Sequence, residues 1–325
     1  MTKKVVIIGG GTGTFPVIQA FKHLEADIST VITVSDSGGS TGRIRDEFGF
    51  QPVGDLRQSL AALAENEGQD WIRKILLYRF EKGTGLKGHN LGNLILTALQ
   101  DMTKDTTAAL EIAEKIFRLD GSVIPATRDN VQLQVNYEDG SSAIGEDILD
   151  QHADQPKRVR SVELVPEGRL NPLAVEALLA ADVVVIGPGD YFGSLMAVLV
   201  AKGLPDVMKQ VKAPILYIMN LMTRVTQTKD MTALEHVAGI EATIGRPVTH
   251  ILLNTVPIAP TLLAAYAKEN EFPVQDDVLD DARVMRRPLI TNMVHKTVAV
   301  DTAHRSLLRH DRDCLVAVFQ ELLHA

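Results

Sequence analysis

KKVVIIGGGTGTFPVIQAFKHL, residues 3–24, decides how the rest of the chain is read. Residues 5–8 form a continuous β-branched run that enters glycines, as in a parallel strand covered on both faces. Residues 14–24 then carry a helical pattern with Pro16 near its start, where a missing N–H costs nothing. ISTVITVSD (28–36) is a second β-branched run, and RIRDEFG (43–49) resumes a helical pattern after another glycine-rich stretch, so the chain opens as a βαβ unit.

Further along, helical segments follow at 55–65, 71–80, 91–102 and 106–119. The period then changes to two in NVQLQVNYEDGSSAIGE, where Asp139-Gly140 marks a hairpin turn, and we expect an antiparallel inset over residues 120–165. NPLAVEALLAA (171–181) reads as a helix and ADVVVIGPGD (181–190) as a buried strand ending in a turn. Two more strand and helix pairs follow, APILYIMNL with MTALEHVAGIEATIG and THILLNTV with PTLLAAYAKENE, before a mixed extension over 276–325. No repeat or flexible linker divides the 325 residues. The expectation is α/β, one elaborated Rossmann-like domain over 1–325 with a doubly wound, mostly parallel sheet.

Composition narrows the function. A net charge of −8 argues against a nucleic-acid or anionic-membrane partner, because both need a basic excess. Cys314 is the one cysteine, so neither an intrachain disulfide nor a thiolate metal cage can form, and a reducing cytoplasm fits. The first apolar run is four residues long and ends in glycines, unlike an export signal. No stretch nears the ~20 apolar residues of a spanning helix.

In a doubly wound sheet, ligands bind at the carboxyl ends of the strands, and four motifs fall there. Gly10, Gly11, Thr12 and Gly13 follow the first strand. Asp36, Ser37, Gly38, Gly39, Ser40, Thr41, Gly42 and Arg43 follow the second. Gly187, Pro188 and Gly189 follow the strand at 183–186, and Asn220 ends the strand at 215–218. Any one of these could be a tight turn and nothing more; four on one edge point to a site. The first loop lacks the third glycine of the dinucleotide fingerprint, since Thr14 stands there, yet its amides and the helix behind it still suit a phosphate. No lysine follows at Walker spacing. Gly38 to Gly42 spells the nucleophile elbow of hydrolases, but too few strands precede it, and His304 and His310, which could supply a base, are as readily surface residues of a terminal helix. Asp36 is better placed to accept from ligand hydroxyls, beside an anion nest of amides, hydroxyls and Arg43.

Asp55 and Arg57 open a helix, where the aspartate could simply cap. His89, Asn90 and Asn93 lie at another helix start, and His89 and Asn93, four residues apart, can face one pocket. A histidine at a helix start is more often structural. No clustered histidines or paired metal carboxylates appear, and QDDVLDDARV (275–284) reads as a solvated acidic helix start, so no tightly held metal is expected.

The ordered set GGGTG, DSGGSTGR with R-x-x-F-G (45–49), GDLR, L-x-G-H-x-x-GNL (86–94) and a late GPG turn resembles the phospholactate transferase-like (CofD-like) superfamily, and within it the bacterial gluconeogenesis factor (YvcK-type) branch. The resemblance spans nearly the whole chain. It implies a Rossmann-like fold, a cytoplasmic location and binding of a nucleotide sugar such as UDP-N-acetylglucosamine, linked to cell-wall precursor supply and cell shape during gluconeogenic growth. It implies no required cofactor, with NADP or magnesium allowed, a cell-wall precursor enzyme as the regulated partner, and room for a homodimer. Tyr266 in LLAAYAKEN and Arg309 in LLRHD match segments close to the nucleotide sugar in that family. A core tyrosine and a solvated arginine are the plain alternatives. The transferase branch instead joins a phospholactyl group to a deazaflavin with magnesium. Two departures from the family pattern bear on selectivity: Asp190 stands where a serine is usual, and Arg224 where a glutamine is usual.

Overall fold

The structure, a computed structural model, describes residues 2–37, 47–64, 70–150, 156–293 and 306–324. Seven parallel strands form one sheet in the order β10-β9-β8-β7-β1-β2-β3. They are β1 (Lys4–Gly9), β2 (Asp27–Ile32), β3 (Ser122–Pro125), β7 (Val183–Ile186), β8 (Ile215–Ile218), β9 (His250–Asn254) and β10 (Val284–Arg287). Five of the six β1 residues and all of β7 and β8 are buried, because helices cover both faces and leave no side for a polar residue.

The helices are α1 (Phe15–His23), α2 (Gly54–Leu63), α3 (Asp70–Leu77), α4 (Leu91–Thr103), α5 (Thr106–Phe117), α6 (Pro172–Ala180), α7 (Ala197–Leu199), α8 (Leu204–Met208), α9 (Ala233–Ile244), α10 (Pro260–Ala267) and α11 (Arg312–His324). Their starts are encoded locally. Asn90, Asp105 and Asn171 each accept a backbone N–H of the first turn. Thr232 and Glu235 form a reciprocal capping box on α9.

The doubly wound parallel sheet and the small antiparallel inset expected from the sequence are both present. Of the span 120–165, Ser122–Pro125 belongs to the large sheet, where it runs parallel to β2. The separate antiparallel sheet comprises β4 (Gln132–Tyr137), β5 (Ser142–Ile144) and β6 (Val159–Val165) in the order β5-β4-β6. The segment 275–281 is no helix start. Asp277 accepts from Leu234 N–H, Asp276 grips Arg286 at 2.9 and 3.0 Å, and Asp281 holds Arg283, so these acids anchor a turn. The final helix returns to the first: the Phe21 and Phe319 rings stack with centroids 4.1 Å apart. No helix among the described residues is long and apolar enough to cross a membrane.

The chain fills β1, β2 and β3 in one direction and β7, β8, β9 and β10 in the other. The order therefore reverses between β1 and β7, and the carboxyl ends of those two strands open the crevice in which such sheets take ligands.

Candidate functional site

The loop after β1 and the turn after β7 touch. A side chain on Gly13 would place its Cβ 2.7 Å from Gly189 Cα and 2.8 Å from the Pro188 carbonyl carbon, so only glycine permits this approach. Gly11 adopts φ +59°, the left-handed region that suits glycine. Behind the loop stands Asp55, on the first turn of α2: its carboxylate accepts from the Gly11 N–H, and a Cβ on Gly10 would lie 2.6 Å from Oδ2. The loop feeds α1, whose first N–H groups and positive dipole end face the crevice.

Asn220, just past β8, clamps the turn from the other side. Its Nδ2 donates to the Gly189 carbonyl at 2.9 Å, and its Oδ1 accepts from Gly189 N at 3.3 Å. The chain then enters a π-helical turn, Tyr191–Met196, a form that recurs at functional sites. Gln227 Oε1 accepts from both Phe192 N and Gly193 N, satisfying donors at the start of that turn. A Cβ on Gly187 would lie 3.1 Å from Thr14 Cγ2, so the turn after β7 also passes close to the residue that precedes α1.

The far wall comes from the carboxyl-terminal half. Between it and the loops lies a cavity of about 110 Å³, lined on the wall side by Arg224, Tyr266, Glu271, Leu308, Arg309 and His310. Tyr266 is buried with Leu262, Ile290 and Leu308 in a small apolar cluster, and its hydroxyl accepts from Leu308 N at 2.9 Å. That bond fixes the strand of chain carrying Arg309 and His310. Arg224 Nε lies 3.7 Å from Asp190 Oδ1 and 3.8 Å from Glu271 Oε1, so Asp190 and Arg224, the two departures from the family pattern, stand side by side.

Burial dominates the electrostatics. It pushes the Asp55 carboxyl up to about 7, aided by the charges of Asp36 and Asp190; the Gly11 N–H and Arg57 pull it back. Glu271 is also pushed up to about 7 by burial, with Arg224 opposing and Asp190 adding to the shift. Burial lowers His310 to about 4, leaving it neutral near pH 7. Among the described residues, no group of three or more His, Cys, Asp and Glu is arranged to hold a metal ion.

A crossing point of this geometry occurs in many nucleotide-binding folds. Residues 5–295 match the family model for 2-phospho-L-lactate transferase CofD. The chain belongs to the CofD family. A gluconeogenesis factor of Bacillus subtilis is 32% identical over 323 residues, 98% of each chain. One of Halalkalibacterium halodurans is 36% identical over 275 residues, 84% of each. A protein of Nostoc sp. is 34% identical over 295 residues, 90% of this chain and 64% of that longer protein. A crystal structure of a Bacillus halodurans protein superposes with a TM-score of 0.87 at 32% identity, covering 98% of this chain and 100% of that one.

In this CofD-family chain the predicted residues divide. Gly10, Gly11, Thr12, Gly13, Pro188, Gly189, Asn220, Tyr266 and Arg309 line the one cavity. Asp36 and Asp55 stand behind the loops, close enough for Asp36 to raise Asp55. Ser37 turns away: its hydroxyl donates to Asp147 Oδ1 at 2.6 Å and accepts from Asp147 N, tying the second loop to the short 3-10 helix Glu146–Asp150 that follows the inset hairpin. Gly38, Gly39, Ser40, Thr41, Gly42 and Arg43 lie outside the described residues, as does His304.

Arg57 does not line the cavity. Its Nε donates to Asn93 Oδ1 at 2.7 Å and its Nη1 to the Leu76 carbonyl, while Asn90 caps α4 by accepting from Asn93 N. Arg57, Asn90 and Asn93 thus lock α2, α3 and α4 together. His89 is half-buried in the turn before α4 and does not line the cavity. Sequence reasoning missed Ser194 and Glu271 as cleft residues and left His310 open between a base and a surface residue of a terminal helix. His310 is instead 5% exposed and precedes α11. Only its neighbour Arg309, already singled out, could have signalled it.

Proposed function

We propose that this chain binds a nucleotide sugar of the UDP-N-acetylglucosamine class in the cleft, with no chemistry of its own. In this reading it regulates gluconeogenic growth in the cytoplasm, setting cell-wall precursor supply and cell shape through a precursor enzyme as partner. The observation that carries the reading is the packing of Gly13 on Pro188 and Gly189. It makes one cradle from two loops, at a helix start, where a diphosphate finds backbone donors and a favourable dipole. About 110 Å³ is below the 300–1,000 Å³ of whole-ligand pockets. It suits the diphosphate, with the nucleoside extending toward Asp36 at the end of β2 and the sugar toward β8. The gluconeogenesis factors of B. subtilis and H. halodurans support the physiological side of the reading by their names.

The test is titration calorimetry of the purified protein against UDP-N-acetylglucosamine, other UDP-sugars, NADP, GDP and a deazaflavin with magnesium. UDP-sugars bind, and Arg309→Ala weakens that binding about tenfold, as loss of a charge-assisted contact to a diphosphate would. Binding confined to NADP or GDP overturns the reading.

The family model's name and the carboxylates of Asp36, Asp55 and Asp190 near the loops favour a second reading, a magnesium-dependent phospholactyl-type transferase acting on a deazaflavin. Magnesium is usually held by one or two carboxylates together with substrate phosphates, so Asp36, Asp55 and Asp190 would be the groups to hold it beside a bound diphosphate. The deazaflavin arm of the same titration decides between the two.

A further inference from the structure

Asp190 follows Gly189 on the turn after β7 and precedes the π-helical turn Tyr191–Met196, yet its side chain does not cap that turn. An aspartate in this place ordinarily accepts from the second or third N–H group beyond it. Here those donors are Phe192 N and Gly193 N, and Gln227 Oε1 accepts from both, at 3.2 and 3.3 Å. The Asp190 carboxylate is thereby released from the backbone. Among the described residues it has Arg224 Nε at 3.7 Å, beyond hydrogen-bond reach, and no hydrogen bond of its own. It lines the cavity with 36% of its side chain exposed, so a ligand in the cleft can reach it.

A lone carboxylate one residue from a phosphate cradle would repel the phosphate, and the surrounding wall offsets that charge. Arg224 stands beside Asp190. Burial raises Glu271, the other acidic neighbour of Arg224, to about 7, so its charge is only partly present near neutrality. Arg309 adds a second cation on the same wall. The cleft can therefore hold a diphosphate and still present a carboxylate, a group that only accepts. Its place in the sheet says which part of a ligand would meet it. β7 lies between β1 and β8, whereas Asp36, at the end of β2, lies on the other side of β1. A ligand whose diphosphate rests on the glycine cradle meets Asp190 on the side away from Asp36, where the sugar extends. Adjacent sugar hydroxyls suit an acceptor with two oxygens.

We propose that Asp190 is a specificity residue of the cleft, its carboxylate accepting hydrogen bonds from hydroxyls of the sugar on the bound nucleotide sugar. The proposal rests on the nucleotide-sugar reading above and adds to it the residue that tells a sugar nucleotide from a bare one.

The experiment compares UDP-N-acetylglucosamine with UDP, which keeps the nucleoside and diphosphate but lacks the sugar, by titration calorimetry in EDTA on the wild type and on Asp190→Ala. Wild type prefers the sugar nucleotide. Asp190→Ala binds UDP-N-acetylglucosamine about tenfold or more weakly, as loss of hydrogen bonds to a charged acceptor predicts, and binds UDP equally or more tightly because a negative charge has gone. A carboxylate acting only through its field would let both ligands bind more tightly once removed, and one acting only on the shape of the turn would weaken both alike. Either result, no change, or a wild type without preference for the sugar nucleotide overturns the assignment of Asp190 while leaving nucleotide-sugar binding intact. An effect of Asp190→Ala that appears only when magnesium replaces EDTA assigns the carboxylate to a metal ion and overturns the proposal as well. A wild type that binds neither ligand under either condition removes the parent reading, and the proposal with it. Should Asp190→Ala fail to fold, Asp190→Asn, which keeps the side-chain volume, is read in the same way.

Discussion

Replacing Gly13 with alanine should damage binding far more than replacing Gly11, although both belong to the same loop. At Gly13 the new Cβ meets backbone: Gly189 Cα and the Pro188 carbonyl carbon must retreat from 2.7 and 2.8 Å to beyond 3.4 Å. Backbone cannot rotate away as a side chain can, so the loop after β1 and the turn after β7 must part. Overpacking of this kind costs about 1–3 kcal/mol of stability. The larger effect is on the ligand. Hydrogen bonds of 2.7–3.2 Å do not survive such a displacement, and each one made to a charged group contributes about 1.5–3 kcal/mol. Loss of one such bond predicts a fall in UDP-sugar affinity of roughly 10- to 100-fold. At Gly11 the nearest atom to a new Cβ is Asp55 Oδ1 at 3.5 Å, an ordinary contact, and the strain of φ +59° at about 1–2 kcal/mol is the main cost. Calorimetric titration and thermal unfolding of both variants separate the two effects. A Gly13→Ala protein that binds as tightly as Gly11→Ala would show that the two loops do not form one cradle, and the argument built on their contact would fall.

Tyr266→Phe should lower stability by about 0.5–1.5 kcal/mol through the lost bond from Leu308 N, and Tyr266→Ala by about 3–5 kcal/mol through its apolar cluster. Thermal unfolding checks the order. Because the folded Asp55 titrates near 7, above its usual 3.8, an anion bound on the loop favours its protonated form. Affinity for a UDP-sugar should therefore rise as pH falls from 8 to 6, with proton uptake visible in buffers of different ionisation heat, and Asp55→Asn should flatten the profile. Arg224→Gln should destabilise more at pH 8 than at pH 6, since Glu271, near 7 in the folded protein and about 4.5 otherwise, loses its opposing charge where it is ionised. Equal losses in melting temperature at both pH values would count against that pairing.

The alternation of apolar runs with helical patterns made the sheet legible, because strands such as β1, β7 and β8 are buried on both faces and read as unbroken apolar stretches. Glycines marked the loops for a related reason: where backbone meets backbone, as at Gly13, no other residue fits. What stayed hidden depends on long-range partners. Arg57 and Asn93 read as separate candidates in the sequence, and their mutual 2.7 Å contact, which joins two helices, is visible only in the structure. Ser37 finds Asp147, a partner 110 residues away that no local pattern announces. Glu271 and His310 reach the cleft only through the path of chain after β9 and before α11. Short strand β3 was folded into the inset because its four residues carry no mark of which sheet they join.

The clasp between the first and last helices has a temporal side. Phe21 belongs to the βαβ unit of β1, α1 and β2, whereas its stacking partner Phe319 is synthesised after every strand of the sheet. Until then, an aromatic face of α1 stays uncovered, the kind of surface that attracts chaperones and other nascent chains. Arg309 and His310, immediately upstream of that final helix, emerge in the same late interval. Completion of the cleft wall and concealment of that sticky face are thus coincident events, and a chain stalled before α11 would lack both the wall and the cover on α1.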